Sequence, residues 1–227
     1  MEDMIINSKH ERLAASLNFP AEYPLHPLIA GRKSIRSFSE TPVEAEKLRS
    51  ILEAARWAPS SSNIQPWRFI VASKDQPEKY QRLLELLAEQ NQIWAARAPV
   101  LILTVAKLLH EPGDKVNKFA LHDVGLTSAN LTFQATSLGL AVHQMGGFNA
   151  VSAKTALNIP DGFEPVTMIA LGYGDAADLL PVYLQERERA PRLRKELSEL
   201  VFDGVWENPW SAGDIHKTSI TTITTNN

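Results

Sequence analysis

Four short apolar runs, separated by helix-like patterns, organise the chain. They cover residues Trp67–Ala72, Val100–Val105, Leu140–Met145 and Val166–Leu171. Runs of this length, rich in β-branched side chains, predict strands. The run Val100–Val105 is almost entirely apolar, which is typical of a strand that is buried on both faces.

Two helical patterns flank the first of these strands. The sequence Thr41-Pro42-Val43-Glu44 predicts the start of a helix, because Thr41 can cap it and Glu44 can complete a capping box. Pro59 marks the end of this pattern, since proline breaks helices. Residues Pro77–Gln90 carry the second pattern, with apolar side chains recurring on one face.

The longest helical pattern covers Asn117–Leu138 and is followed by Gly139, a residue type that commonly ends helices. Because it is mostly apolar, it predicts a central helix that is buried on most sides. Ser152 can cap a short helix, and a last helical patch covers Arg194–Val201. Between strands, Glu111–Asp114 is predicted to be a turn or loop.

No repeat and no linker-like stretch divides the sequence, so one domain over residues 1–227 is predicted. Within it we expect an N-terminal arm over residues 1–30, a core over residues 32–200 and a C-terminal arm or tail over residues 203–227. The order of elements indicates an α+β or α/β domain without a regular βαβ alternation. No glycine-rich fingerprint follows the first strand, so a dinucleotide-binding Rossmann domain is not expected.

The composition excludes several kinds of chemistry. The sequence contains no cysteine, which rules out thiolate nucleophiles, disulfides and thiolate-bound metals. The histidines lack the spacing of a metal pair, so no metal site is expected. The net charge of −3 favours neither nucleic acid nor an acidic membrane as partner. No apolar run approaches the roughly 20 residues of a membrane span, and no secretory signal is seen, so a cytoplasmic protein is expected.

Two basic segments could hold an anion. The sequence Arg32-Lys33-Ser34-Ile35-Arg36 places three cations and a hydroxyl within five residues, and in an extended chain residues 32, 34 and 36 share one side. Guanidinium groups beside a hydroxyl suit a phosphate. The second basic segment is Arg187–Lys195, which includes Arg192 and Arg194. Taken alone, each segment is better explained as a solvated surface balanced by nearby carboxylates.

An uncharged loop and a glycine pair offer a different chemistry. The loop Ala58–Trp67 places short hydroxyl and amide side chains between two prolines, which suits a flat polar heterocycle. Gly146 and Gly147 let a ligand approach the main chain closely, although a glycine pair is usually only a tight turn. The pair His122-Asp123 is predicted to complete a hydrogen-bond network in the core. No Gly-x-Ser-x-Gly elbow is present, so hydrolase chemistry has little support.

Together and in this order, these segments resemble the FMN-dependent nitroreductase family. Arg32–Phe38 is similar to its N-terminal flavin-phosphate motif, and Ala58–Trp67 to its most recognisable loop. Gly139–Phe148 is similar to its glycine-rich flavin contact, and Arg192–Leu197 to its C-terminal basic motif. The resemblance covers residues 32 to about 200. Each motif alone is weak, but four motifs in register identify the family.

The resemblance implies a nitroreductase-like α+β fold, in which a mostly antiparallel sheet is wrapped by helices in an intertwined homodimer. It implies FMN as cofactor, in two sites at the dimer interface that take residues from both chains. NADH or NADPH would pass hydride to N5 of the flavin. A nitroaromatic, quinone or related small electron acceptor would then be reduced at the same place, in a ping-pong reaction. No side chain needs to act as a nucleophile, so no catalytic residue is assigned.

The resemblance also implies roles for individual residues. The phosphate and ribityl chain would be held by Arg32, Lys33, Ser34 and Arg194, with Arg192 nearby. Arg36 would lie near N1 and the C2 carbonyl of the ring, where a cation stabilises the reduced flavin. The other subunit would frame the ring with Pro59, Ser60, Ser61 and Asn63. The edge of the ring would be lined by Gln144, Met145, Gly146 and Gly147. Asn91 would reach the pyrimidine edge.

The sequence departs from the family pattern in two places. Trp94 stands where some relatives have a lysine, so it is expected to shape the substrate face instead. Arg187 and Arg189 form a second Arg-x-Arg pair. Three alternatives stay open at this point. The fold could serve another flavin reaction, such as enone reduction or dehalogenation; the chain could bind FMN without turnover; or it could be a structural domain with basic surface patches.

Overall fold

The computed structural model of the chain describes residues 21, 23–111 and 115–210. The chain divides into two compact units, one within residues 1–190 and one within residues 191–227. The prediction of one domain over residues 1–227 is not tested by this division and stays a prediction. Residues 1–20 of the predicted arm, residues 112–114 of the predicted turn and the tail from residue 211 lie outside the described residues.

The described part of the first unit contains seven α-helices and four strands. In chain order they are α1 Pro27–Gly31, α2 Ala45–Arg56, β1 Trp67–Ser73, α3 Pro77–Glu85, α4 Glu89–Ala95, β2 Val100–Lys107, α5 Ala120–Ser137, β3 Ala141–Met145, α6 Ala150–Ala156, β4 Phe163–Gly172 and α7 Val182–Arg189. Single turns of 3-10 helix cover Ser61–Asn63 and Ala177–Leu179. All four predicted strands are confirmed, with ends that differ by up to three residues.

The strands form one antiparallel sheet in the order β1-β2-β4-β3. Ile70 of β1 lies opposite Leu103 of β2, and Ile169 of β4 lies between Ile102 of β2 and Gln144 of β3. The mostly antiparallel sheet expected from the resemblance is therefore confirmed.

Helices cover both faces of the sheet. Leu101 and Leu103 of β2 pack into a core cluster with residues of α3, α4, α6 and α7. Val100 and Ile102, which point to the opposite face, pack with residues of α2 and α5. Because side chains alternate along a strand, this double burial explains the unbroken apolar run of β2. The helix-wrapped α+β class is thus confirmed.

The predicted start of the first helix was wrong. Helix α2 begins at Ala45, its N-cap residue is Glu44, and no side chain caps it. The Thr41 hydroxyl pairs instead with that of Ser39. The Glu44 carboxylate is drawn away by the hydroxyl of Tyr173, which donates to it over 2.6 Å. Tertiary partners therefore outcompete the local capping box.

The single helix predicted over Pro77–Gln90 is two helices, α3 and α4. The break is at Leu86–Ala88, where the backbone pairs with the segment after β3. Ala88 N–H donates to the Gly147 carbonyl over 2.9 Å, and Asn149 N–H donates to the Leu86 carbonyl over 2.8 Å. These long-range bonds interrupt a helical pattern that is continuous in the sequence.

The long helix is shorter than predicted and buried on one side. It begins at Ala120, after the Asn117 side chain has accepted the Phe119 N–H. Gly139 ends it with a φ of +77°, as expected. Leu121 stays exposed at 56%, so the expected burial on most sides is not met within the chain.

Three further differences concern short elements. Asn149, not Ser152, caps α6. The patch expected over Arg194–Val201 is only one 3-10 turn, Leu197–Glu199, in the second unit. Helices α1 and α7 were not predicted. No helix in the described part of the chain is long and apolar enough to cross a membrane.

Candidate functional site: a cationic segment beside the glycine end of a strand

The cationic segment that follows α1 is anchored by its apolar end. Ser37 and Phe38 are fully buried, and Phe38 pairs with Gly174 in an isolated β-bridge. The hydroxyl of Ser37 donates to the Ala176 carbonyl over 2.5 Å. The preceding residues Arg32–Arg36 are thereby held at the surface, which suits an anion-binding role.

Within this segment, Arg32 and Ser34 lie on the same side. The Arg32 guanidinium donates to the Ser34 hydroxyl over 3.2 Å, as the alternation of an extended chain predicts. Lys33 and Ser34 are exposed. Lys33 and Ser34, two of the residues expected to bind the phosphate, are thus adjacent and accessible.

Arg36 is held differently from its neighbours. Its backbone N–H donates to both carboxylate oxygens of Glu188, over 3.0 and 2.9 Å. Its guanidinium lies 4.0 Å from the same carboxylate. Glu188 belongs to α7, and the sequence indicated only that acidic residues there balance the local charge.

His143 connects the cationic segment to strand β3. Its Nδ1 donates to the Ile35 carbonyl over 2.7 Å, and its ring lies 4.5 Å from the Trp94 ring. Burial lowers the pKa of the His143 imidazole below its usual 6.5, and the positive charges of Arg36 and Arg32 act in the same direction. Sequence reasoning missed His143 because nothing local marks it as a neighbour of residue 35.

Trp94 does not shape a substrate face, which corrects the expectation from the sequence. Only 2% of its surface is exposed, and its ring is stacked with Phe38 at a centroid distance of 6.2 Å. The indole therefore belongs to the core beneath the cationic segment and β3.

The glycine pair at the end of β3 meets Asn91 of α4. The Asn91 side-chain amide donates to the Gly147 carbonyl over 3.0 Å. A Cβ at residue 147 would lie 2.7 Å from that amide nitrogen, whereas one at residue 146 would meet no atom within 4 Å. Gly146 and Gly147 are exposed. Gly146 thus leaves room for a ligand to approach the main chain, while Asn91 fills the space beside Gly147. The expected contact of Asn91 with the pyrimidine edge stays a prediction.

The two residues before the glycines point in different directions. Gln144 is exposed and its amide donates to the Thr132 hydroxyl of α5 over 3.3 Å. Met145 is buried, with only 3% of its surface exposed. Only the backbone of Met145 is therefore available to line a ligand.

The uncharged loop has a strained backbone. Three of its non-glycine residues have positive φ: Ser62 at 50°, Asn63 at 54° and Gln65 at 51°. Such conformations are costly for side-chain-bearing residues and concentrate at functional sites. Within the loop, Gln65 N–H donates to the Ser60 hydroxyl over 3.0 Å.

The loop is fastened to α5 by a buried carboxylate. Asp123, only 1% exposed, accepts the Ser61 N–H over 3.1 Å. Its other oxygen lies 3.1 Å from Nδ1 of His122. The predicted hydrogen-bond network in the core is confirmed for Asp123, whose partner is the loop, whereas the His122 side chain is 66% exposed and lies at the surface.

Within one chain, the uncharged loop is separated from the glycine edge formed by Gly146 and Gly147. The loop contacts α5 at residue 123, and Gln144 contacts the same helix at residue 132. Nine residues of α-helix correspond to about 14 Å. The structure therefore brings together the cationic segment, Asn91 and the end of β3, but not the loop with Pro59, Ser60, Ser61 and Asn63.

The C-terminal basic residues divide between the two units. Arg192 and Arg194 belong to the second unit, where the Arg194 guanidinium donates to the Leu193 carbonyl over 2.7 Å. In the first unit, Arg189 forms an ion pair with Asp178. The expected role of Arg192 and Arg194 stays a prediction. In the described residues, no group of three or more His, Asp or Glu side chains could hold a metal ion.

These features define a class of protein: an α+β domain with a cationic segment, an asparagine and an open glycine edge along one strand. The model of the Nitroreductase family matches residues 29–173, which is more than half of the chain. The chain belongs to the nitroreductase family. The resemblance seen in the sequence is therefore confirmed.

Two relatives are similar to this chain, and the name of the second agrees with this assignment. An uncharacterized 15.4 kDa protein of Mycolicibacterium smegmatis is 36% identical over 133 residues, covering 58% of this chain and 87% of that one. A Stenotrophomonas maltophilia protein named "Putative NADH dehydrogenase/NAD(P)H nitroreductase" is 28% identical, covering 74% of this chain and 91% of its own length.

Solved structures give the same result. A crystal structure described as an oxidoreductase containing FMN is 39% identical, has a TM-score of 0.81, and covers 85% of this chain and 98% of its own. A nitroreductase family protein of Clostridium difficile 630 is 28% identical with a TM-score of 0.61, covering 78% of this chain and 96% of its own.

Proposed function

We propose that this chain is an FMN-dependent oxidoreductase that uses NADH or NADPH to reduce small electron acceptors such as nitroaromatics or quinones. At the level of enzyme class, the prediction from the sequence is confirmed by the family and by relatives named as NAD(P)H nitroreductase and as an oxidoreductase containing FMN. The acceptors and the ping-pong order remain part of the proposal.

One observation carries the proposal: strand β3 joins a cationic segment to an open glycine edge. Ile35 of the cationic segment contacts His143, and Asn91 contacts Gly147 at the other end. The four residues from His143 to Gly147 span at most about 13 Å, and β3 itself ends at Met145. A site of this length, with cations at one end and accessible main chain at the other, suits an elongated ligand that has an anionic end and a flat ring.

The residues fit FMN in their chemistry. Arg32, Lys33 and Ser34 offer cations and a hydroxyl, the donor set that a phosphate requires. Gly146 and Gly147 are exposed, and an added Cβ at residue 146 would meet no atom within 4 Å, so a ligand can approach the main chain at this edge. These residues would hold the phosphate and the ring edge, respectively.

FMN, when bound, would supply the two-electron chemistry that couples a nicotinamide donor to an acceptor, and donor and acceptor would occupy the same pocket one after the other. The protein would bind the flavin, orient it and tune its reduction potential. Arg36 carries a positive charge that is only 25% exposed, and a poorly solvated cation favours negative charge that develops nearby. Gly146 provides open space in which a planar partner can stack.

We infer a homodimer in which the loop at Pro59–Asn63 of one subunit completes the site of the other. The separation of the loop from the glycine edge along α5 supports this inference, as does the exposed side of that helix. A cytoplasmic location also remains a prediction from the sequence.

Titration of the purified protein with FMN tests the proposal. The Arg32→Ala variant is expected to bind FMN at least tenfold more weakly, because a charge-assisted hydrogen bond contributes about 1.5–3 kcal/mol. Arg49→Ala removes an exposed arginine that pairs with Glu46 on α2 and is expected to bind like wild type. A wild-type protein that takes up no FMN would overturn the proposal.

A further inference from the structure

Glu188 carries a carboxylate that is shielded from water. Its side chain is 10% exposed, although it lies near the end of α7, a helix whose neighbouring residues Glu186 and Arg187 are exposed. A carboxylate in such a position needs hydrogen-bond donors to offset its lost hydration.

Main-chain amides of the cationic segment supply these donors. The N–H of Arg36 lies 3.0 and 2.9 Å from the two carboxylate oxygens, and the N–H of Ser37 lies 3.4 Å from one of them. The guanidinium of Arg36 is farther away, at 4.0 Å. The carboxylate therefore binds the backbone more closely than the charged side chain.

This arrangement has two consequences for Arg36. First, the backbone at residues 36 and 37 is fixed between Glu188 and the buried side chains of Ser37 and Phe38. Second, a negative charge remains beside the Arg36 guanidinium in a poorly hydrated place, where charges interact more strongly than in water. The first consequence concerns position, and the second concerns net charge.

We propose that Glu188 is a positioning residue that holds the Arg32–Arg36 segment in its ligand-binding conformation and tempers the positive charge of Arg36 toward the cofactor. It gives helix α7 a role in the site through an acidic residue, whereas the motifs recognised in that region of the sequence are basic. The charge role rests on the proposed function, whereas the positioning role does not.

Three variants separate the two effects. Glu188→Ala removes both the hydrogen bonds and the charge. Glu188→Gln removes the charge but keeps a side-chain oxygen that can accept one backbone N–H. Glu186→Gln is the matched control, since it removes an exposed charge two residues away on the same helix.

The positioning role is tested without FMN, by amide hydrogen exchange at residues 36 and 37. Glu188→Ala is expected to exchange these amides at least tenfold faster than wild type, with Glu188→Gln in between and Glu186→Gln unchanged. Exchange at the wild-type rate in Glu188→Ala would overturn the positioning role. If Glu188→Ala does not fold, the same comparison is decided by Glu188→Gln, whose exchange must then exceed that of Glu186→Gln.

The charge role is tested by the midpoint potential of the bound flavin. Glu188→Gln is expected to favour reduced over oxidised FMN about tenfold more than wild type does, a rise of about 30 mV for a two-electron couple. A potential equal to that of Glu186→Gln would overturn this role. A wild-type protein that binds no FMN would refute the proposed function, while the exchange measurement would still decide the positioning role.

Discussion

His143 shows how a single side chain joins two distant parts of the site. Its ring is fixed by the Ile35 carbonyl on one side and the Trp94 ring on the other. Burial and the two nearby arginines disfavour its charged form. A neutral imidazole at this point adds no further positive charge to the cationic segment.

The lowered pKa of His143 predicts a pH dependence of stability. Below pH 6.5 the unfolded chain binds a proton that the folded chain resists, so the free energy of unfolding should fall as the pH falls, by up to about 1.4 kcal/mol per pH unit. This stabilisation is fully present above pH 6.5. Urea unfolding between pH 7.5 and 5 measures the slope.

His143→Gln is expected to flatten that slope, whatever its effect on absolute stability. His110→Gln, which removes a histidine outside the site, should keep the wild-type slope. An unaltered slope in His143→Gln would show that other groups cause the pH dependence.

At the scale of elements, the uncharged loop is held in a costly conformation by its anchor on α5. Ser62 has φ 50° and ψ 25°, which costs about 1–2 kcal/mol for a residue with a side chain. The Asp123 carboxylate fixes the start of this turn through Ser61. The sequence indicated a rigid loop, but its left-handed residues are not glycines and could not be recognised from residue type.

This strain predicts opposite effects for two neighbouring glycine substitutions. Ser62→Gly should raise the free energy of unfolding by about 0.5 kcal/mol, because glycine adopts positive φ without strain. Ser61→Gly, at a residue without positive φ, should lower it by about 0.5–1 kcal/mol through the added freedom of the unfolded chain. Urea unfolding measures the free energy of unfolding of both variants. A loss of stability in Ser62→Gly as well as in Ser61→Gly would contradict a strained backbone at Ser62.

For the molecule as a whole, local patterns predicted the four strands well, because each is a distinct apolar run. The break between α3 and α4 and the capping of α2 depend on partners far along the chain, namely Gly147 and Tyr173. The same holds for the site. Arg32, Ser34, Asn91 and Gly147 were predicted from motifs and still await a test as ligand-binding residues, whereas the contacts of His143 and Glu188 follow no local pattern.

Mixed dimers test whether each site takes residues from two chains. Arg32→Ala alters the cationic segment, and Ser61→Trp places a bulky group on the loop. Each variant alone should bind FMN weakly. In a dimer of one chain of each kind, one site has both changes and the other has neither, so half of the sites should regain wild-type affinity. Mixed dimers, isolated with two different affinity tags, that show no such recovery would place the whole site in one chain.

The oxidoreductase function is tested by anaerobic reduction of the FMN-loaded protein with NADH or NADPH, followed in the visible spectrum. The flavin absorbance is expected to be bleached by one equivalent of donor and to return when a quinone or nitroaromatic compound is added. Bound FMN that neither nicotinamide can bleach would contradict an oxidoreductase function and favour a protein that only binds the flavin.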